Sequence, residues 1–134
     1  MPYASNEIAN PLTGERIVFR VSASESDGQL LELDSFWSRP GQRAAEHIHP
    51  GMQESWEVIS GTASFRIDGS QRSAGPGEVL IAEPGVAHRA WNPGEGLVHV
   101  RIQMRPALRW EHYADLGIMP MCVPGLALGA VVAV

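Results

Sequence analysis

The chain has 134 residues and a formal net charge of −5, with ten Lys and Arg residues against fifteen Asp and Glu residues. This length suits one domain with a sizeable core, and the lack of a basic run interleaved with aromatics argues against nucleic acid as a partner. A single cysteine, Cys122, excludes an intramolecular disulfide and a cysteine-based zinc site. Residues 1–7 lack the basic and apolar regions of a signal peptide, so we expect a cytoplasmic protein.

Short apolar runs separated by glycine and proline predict an all-β chain. The pattern is clearest where Val98, Val100, Ile102 and Met104 alternate with polar residues, as in a strand with one buried face. Regular short strands are typical of a sandwich or barrel, and no linker divides the chain, so we predict one domain over residues 1–134. The predicted strands are Ile17–Ser22, Gln29–Trp37, Arg43–His49, Ser55–Ser60, Thr62–Asp68, Glu78–Ala82, His88–Asn92 and Leu97–Met104.

The C-terminal region, residues 107–134, departs from this pattern. Pro106 ends the last predicted strand, Ala107–Leu116 is predicted to form a short helix, and no charged residue follows Asp115. The uncharged tail has about the length of a membrane helix, but it contains prolines and glycines. We therefore expect it to dock on the barrel or on a second subunit, with membrane contact as the alternative.

Three histidines and one carboxylate have a spacing that suits a metal site. His47 and His49 are two residues apart, so on a strand their imidazoles lie on the same face. Glu54 begins the next predicted strand, and His88 begins another after a Pro-Gly turn. If these strands are neighbours, the four side chains could hold one ion such as Fe²⁺ or Mn²⁺ and leave two octahedral positions open for other ligands.

The glycines around these residues extend the pattern into two motifs. The first motif has five, one, four and six residues between Gly41, His47, His49, Glu54 and Gly61. The second contains Gly77, Gly85, His88 and Asn92. In both motifs the chain resembles the cupins, whose second motif has a proline where this chain has Glu83. The resemblance implies a small jelly-roll β-barrel over about residues 14–106, followed by a short C-terminal helix or tail.

The cupin resemblance also implies a metal cofactor. In that family the residues that match His47, His49, Glu54 and His88 bind one divalent transition metal, here Fe²⁺ or Mn²⁺ first, with Zn²⁺, Ni²⁺ and Cu²⁺ as alternatives. The motif also allows three residues before the acid, which would place Gln53 at the fourth position, but the register of Gly61 favours Glu54. Glu57 is predicted to point to the opposite face.

Residues in phase with the ligands are predicted to line a pocket. These are Trp56, Val58, Phe65 and Ala90. Their side chains suit an apolar or aromatic small molecule, although plain core packing is the competing interpretation. His99 is expected to line the barrel mouth or to face water. Because few other titratable groups are in phase with the ligands, we assign the catalytic roles to Glu54 and His88, which favours redox or Lewis-acid chemistry.

Two classes of function remain open. The first is a metal-dependent enzyme that acts on a small organic molecule, an oxygenase before an isomerase, cyclase or lyase. The alternative is a non-catalytic module that binds or senses a small ligand. A homodimer is expected in either case, for example through exchange of an N-terminal strand near Ile17–Val21.

Overall fold

The computed structural model of the protein describes residues 7–9, 15–22, 26–38, 41–42, 46–94 and 96–107. Every regular element within these ranges is a β-strand. The strands are β1 (Glu7–Ala9), β2 (Glu15–Val21), β3 (Leu31–Trp37), β4 (Gly41–Gln42), β5 (Gln53–Ser60), β6 (Ala63–Ile67), β7 (Ser70–Ala74), β8 (Val79–Ala82), β9 (His88–Asn92) and β10 (Val98–Arg105).

The strands form two antiparallel sheets that face each other. The six-stranded sheet has the order β1-β2-β3-β10-β5-β8, and the four-stranded sheet has the order β4-β9-β6-β7. From β3 onwards the chain crosses from one sheet to the other at every connection except the β6–β7 hairpin. This arrangement is a jelly roll, and it confirms the predicted all-β fold.

The core lies between the two sheets and follows from alternation along the strands. In β10 the side chains of Val98, Val100, Ile102 and Met104 are buried, whereas the residues between them are half-buried on the outer face. Antiparallel pairing then aligns these positions across the sheet, so that Ile102 lies between Leu33 of β3 and Trp56 of β5. Each such row forms one apolar layer of the barrel interior.

A buried amide closes one end of the barrel. The Asn92 side chain donates to the carbonyl oxygens of Trp37 at 2.9 Å and Gly96 at 2.8 Å, and it accepts a hydrogen bond from the Gly94 N–H at 3.0 Å. Asn92 therefore ties the end of β3 to the turn that precedes β10.

Several predicted strand boundaries differ from the structure. The predicted strand Arg43–His49 is wrong over its described part, where an isolated bridge joins His47 to His88. Gln42 pairs with Trp91 further along β9. Between this pair and the His47–His88 bridge the chain advances five residues on one side and three on the other, so the pairing is not one continuous ladder. Strands β1, β4 and β7 were not predicted from the sequence. Strand β7 is polar and mostly exposed, so it lacks an apolar signal.

Other predictions fall at the ends of the described chain. Beyond Ala107, the predicted helix Ala107–Leu116 and the uncharged tail lie outside the described residues, and the single domain over residues 1–134 stays a prediction. Strand β2, proposed for exchange between subunits, pairs with β3 of its own chain. No helix in the described ranges is long and apolar enough to cross a membrane.

Candidate metal centre

The four predicted ligands converge at one end of the barrel interior. His47 and His49 lie on the segment between β4 and β5, Glu54 lies on β5 of the six-stranded sheet, and His88 opens β9 of the four-stranded sheet. Two backbone hydrogen bonds, His47 N–H to His88 O at 3.1 Å and His88 N–H to His47 O at 2.9 Å, fix one histidine beside the other. All four side chains are buried. Predicted ligands from both sheets therefore meet across the interior.

The donor atoms of the cluster lie close together. One ligand atom from each of the four residues lies within 4.8 Å of the others. Glu54 Oε1 is 3.2 Å from His49 Nε2 and 3.3 Å from His88 Nε2. Neither contact has hydrogen-bond geometry, and Glu54 Oε1, His88 Nε2 and both ring nitrogens of His49 are buried without a hydrogen-bond partner among the described residues.

These distances fit a shared metal ion. Two donors that are each bound at about 2.1 Å lie about 3.0 Å apart at a right angle and about 3.4 Å apart at a tetrahedral angle. The two contacts of Glu54 Oε1 fall between these values. Leaving buried polar atoms unsatisfied is costly, and a cation at the centre of the cluster would satisfy them. Three imidazoles and a carboxylate are donors that first-row divalent metals accept.

The electrostatics of the cluster also favour a bound cation. Burial raises the pKa of the Glu54 carboxyl, but the His49 and His88 imidazoles beside it lower that pKa by a larger amount, so the net shift is downward. Burial lowers the pKa of His88, and the neighbouring Glu54 carboxylate raises it by more. The ionised carboxylate thus stabilises positive charge inside the barrel.

A backbone contact orients one of the predicted ligands. His88 Nδ1 lies 3.0 Å from the carbonyl oxygen of Val86. A carbonyl oxygen only accepts, so the geometry assigns the ring hydrogen to Nδ1 and leaves the lone pair of Nε2 directed at the cluster.

The alternation of β5 separates the two candidates for the fourth position of the cluster. Glu54 is buried, whereas Gln53 lies half-buried on the other side of the strand and donates through Nε2 to Glu83 Oε1 at 3.0 Å. Glu57 is exposed on the outer face, as predicted. Of these three residues, Glu54 is the one that faces the histidines.

The four predicted pocket residues are all buried, and one of them borders the cluster. The ring of Trp56 lies 5.3 Å from that of His88 and 5.4 Å from that of Phe65, centroid to centroid. Phe65 pairs with Ala90 across β6 and β9, and Val58 pairs with Val100 one layer deeper than Trp56. Trp56 is therefore the predicted residue best placed to shape the space beside His88.

The sequence interpretation missed two methionines near the cluster. Met104 lies directly opposite Glu54 in the pairing of β10 with β5, and Met52 precedes Glu54 by two residues; both are buried. The two-residue period that runs back from Glu54 would have indicated Met52. Met104 could be found only from the register of β10 on β5. Both thioethers add apolar surface to the end of the barrel that holds the cluster.

His99 belongs to a different cluster, on the outer face of the six-stranded sheet. Its ring stacks on Phe36 with 4.2 Å between centroids, and its Nε2 lies 3.4 Å from Asp34 Oδ2. Arg101 forms two hydrogen bonds with the same carboxylate, at 2.9 and 3.3 Å. His99 is thus half-buried beside an ion pair on the outer face and does not border the candidate metal centre, so the barrel-mouth alternative is not the one observed.

Comparison with known proteins agrees with this geometry. The family model Cupin_2, described as a cupin domain, matches residues 38–102. Mannose-1-phosphate guanylyltransferase of Escherichia coli (strain K12) is 30% identical over 77 residues, which are 55% of this chain and 16% of that enzyme. The chain therefore spans about a sixth of the length of this curated relative.

Two solved structures illustrate the likeness in fold. A predicted oxalate decarboxylase from Thermotoga maritima superposes with a TM-score of 0.65 at 17% identity, covering 75% of this chain and 90% of that one. An uncharacterised protein with a double-stranded β-helix domain from Klebsiella pneumoniae is 31% identical, with a TM-score of 0.53, covering 60% of this chain and 66% of that one. The two together support the fold assignment and leave the reaction open.

Proposed function

Since the chain belongs to the cupin superfamily, we propose that its barrel binds one divalent transition metal ion and uses it to transform a small organic molecule. The ligands would be His47, His49, Glu54 and His88, and the ion Fe²⁺ or Mn²⁺. The buried donor cluster carries this proposal, because its contacts of 3.2 and 3.3 Å match two donors on one ion. An ion held in this way keeps positions open for further ligands and supplies Lewis-acid or redox chemistry.

The surroundings of His88 and the charge of Glu54 support the proposed centre. The Val86 carbonyl holds His88 in one tautomer, so that Nε2 is available to the metal. Glu54 supplies the negative charge that offsets part of the charge of the cation. Because His88 packs against Trp56, the ring of His88 has little room to rotate away from the cluster.

The surrounding walls favour an apolar or aromatic substrate. Met52, Trp56 and Met104 are buried next to the ligands, and none of the described arginines is buried. The interior of the described barrel thus has no cationic side chain for a phosphate group. We therefore propose a carbonyl or phenolic compound as the substrate, in keeping with these apolar walls.

The lack of a separate acid or base favours oxygenase-type chemistry over isomerase, cyclase or lyase chemistry. Among the described residues the other buried carboxylates are Glu15 and Asp34. Glu15 pairs with Trp37 at the far end of β3, where its Oε2 accepts a hydrogen bond from Ser35, and Asp34 lies on the outer face. Proton transfer in the centre would therefore depend on Glu54.

Oxygen uptake by metal-loaded protein tests this proposal. We would load the protein anaerobically with Fe²⁺, add a panel of aromatic and dicarbonyl compounds, and record oxygen consumption and products. We expect uptake that depends on both substrate and Fe²⁺ and that falls at least about a hundredfold in Glu54→Gln. Glu57→Gln is the matched control, because it removes a carboxylate from the exposed face of the same strand.

The same panel separates the competing functions. Product formation with Mn²⁺ or Zn²⁺ and no oxygen consumption would replace the oxygenase by a Lewis-acid enzyme. Saturable binding of a compound by metal-loaded protein, with no product under any condition, would replace the enzyme by a binding module. Equal activity of Glu54→Gln and wild type would contradict a role for the cluster.

A further inference from the structure

Strand β8 forms an unprotected edge of the six-stranded sheet. One side of its backbone pairs with β5, and no strand within the described ranges pairs with the other side. Val79 and Ile81, on the outer face of β8, are 55% and 48% exposed. The four residues of the strand, Val-Leu-Ile-Ala, carry no charge. A free edge with exposed aliphatic side chains is a template for pairing with another strand.

The other described edges are built differently. Strand β7, the edge of the four-stranded sheet beside β8, reads Ser-Gln-Arg-Ser-Ala and is mostly exposed. Strand β1 carries Glu7, which forms an ion pair with Arg16 at 3.2 Å. Strand β4 is only two residues long. Polar, charged or very short edges resist pairing, so β8 is the edge best suited to accept a strand.

The surface next to β8 is also recessed. A groove of about 340 Å³ runs between β8 and β7, and its lining includes Phe65, Ile67, Ser70 and Arg72 as well as Val79, Leu80 and Ile81. The groove extends the apolar surface beyond the two exposed side chains. Arg72 adds a positive charge to the lining of the groove. Two acidic residues, Glu78 and Glu83, directly precede and follow strand β8.

We propose that two copies of this chain associate by antiparallel pairing of β8 with β8 of the partner. A two-fold axis at Leu80 would place Val79 opposite Ile81 of the partner subunit and would join the two six-stranded sheets into one. A register shifted by one residue would set Glu78 opposite Glu83 of the partner subunit, and like charges facing each other are unfavourable. The edge is thus self-complementary in this register, where apolar side chains meet and Glu78 and Glu83 do not face each other, which argues for a second copy as its occupant.

Analytical ultracentrifugation of the full chain tests the interface. We expect wild type to sediment as a dimer at about 100 µM, and Ile81→Lys to raise the dimer dissociation constant at least about tenfold. Leu97→Lys is the matched control, because Leu97 is 53% exposed at a site away from β8. A monomeric wild type, or an equal effect of the two substitutions, would overturn the proposal.

Cysteine crosslinking tests the register without a charged substitution. In a Cys122→Ser background, the Val79→Cys and Ile81→Cys chains are mixed and oxidised. Directly opposite residues lie within disulfide range, whereas identical residues displaced from the axis are further apart. We expect the mixture to give several times more crosslinked dimer than either variant alone. Equal yields would contradict the register. If the C-terminal tail of the same chain covered β8 instead, the protein would be monomeric in both experiments, and that result would also overturn the proposal.

Discussion

Replacing Gly61 by alanine is expected to destabilise the fold strongly. Gly61 lies in the β5–β6 turn with φ at +82°, and a Cβ built there would lie 2.5 Å from the Leu97 carbonyl oxygen and 3.1 Å from the Val98 Cα. A residue with a Cβ costs about 1–2 kcal/mol in this left-handed conformation. Pushing the start of β10 away adds about 1–3 kcal/mol. The sum is a loss of about 2–5 kcal/mol, because both neighbours are backbone atoms that cannot rotate aside.

Gly69 provides a matched control for this substitution. It has nearly the same backbone conformation, with φ at +80°, but a Cβ there would meet no atom within 4 Å. Gly69→Ala should therefore lose only the conformational part, about 1–2 kcal/mol. The difference between the two variants isolates the steric contact of Gly61 with β10.

Thermal and urea unfolding of both variants measure the effect. Gly61→Ala should melt roughly 8–20 °C below wild type, and Gly69→Ala roughly 4–8 °C below it. Equal losses in the two variants, or an unchanged midpoint for Gly61→Ala, would refute the close approach of the β5–β6 turn to β10.

Three further predictions concern other parts of the barrel. Asn92→Ala removes three hydrogen bonds of a buried side chain and should lose about 2–4 kcal/mol in urea unfolding, and Asn92→Asp should not restore this stability because a carboxylate cannot donate. Burial raises the pKa of Asp34, but Arg101 and His99 lower this pKa by a larger amount, so the net shift is downward. This stabilisation is present above the unfolded-state pKa and is lost as the pH falls through the folded-state pKa, so Arg101→Gln should flatten the fall of the urea midpoint below about pH 4. Because Trp56 lies 5.3 Å from His88, Cu²⁺ or Ni²⁺ in the cluster should quench indole fluorescence, and Trp56→Phe should abolish most of that quenching.

Local periodicity was enough to predict much of this fold. The alternation along β10 and β5 was readable from the sequence, because each strand has one face in the core and one outside it. The motif spacing likewise identified all four residues of the cluster. It succeeded because Glu54 faces inward on a regular strand and His88 begins another, so spacing and geometry agree.

The features that the sequence did not predict depend on contacts between distant segments. His47 and His49 converge although they lie outside a regular ladder, because bridging to His88 and a hydrogen bond from the Gly85 N–H to His49 O hold the segment in place. The place of Met104 beside Glu54 follows from the register of β10 on β5, two strands that are far apart in the sequence. The exposure of β8 likewise depends on sheet order, since the same apolar run would be buried in a central strand.

Metal content of purified protein tests the central claim most directly. Protein made without a histidine tag would be loaded with Fe²⁺ or Mn²⁺, dialysed and analysed for bound metal. We predict about one ion per chain for wild type and for Glu57→Gln, and less than about a tenth of an ion for His49→Ala and His88→Ala. Less than about a tenth of an ion in wild type after supplementation, or full occupancy in His49→Ala, would contradict a metal centre at this cluster.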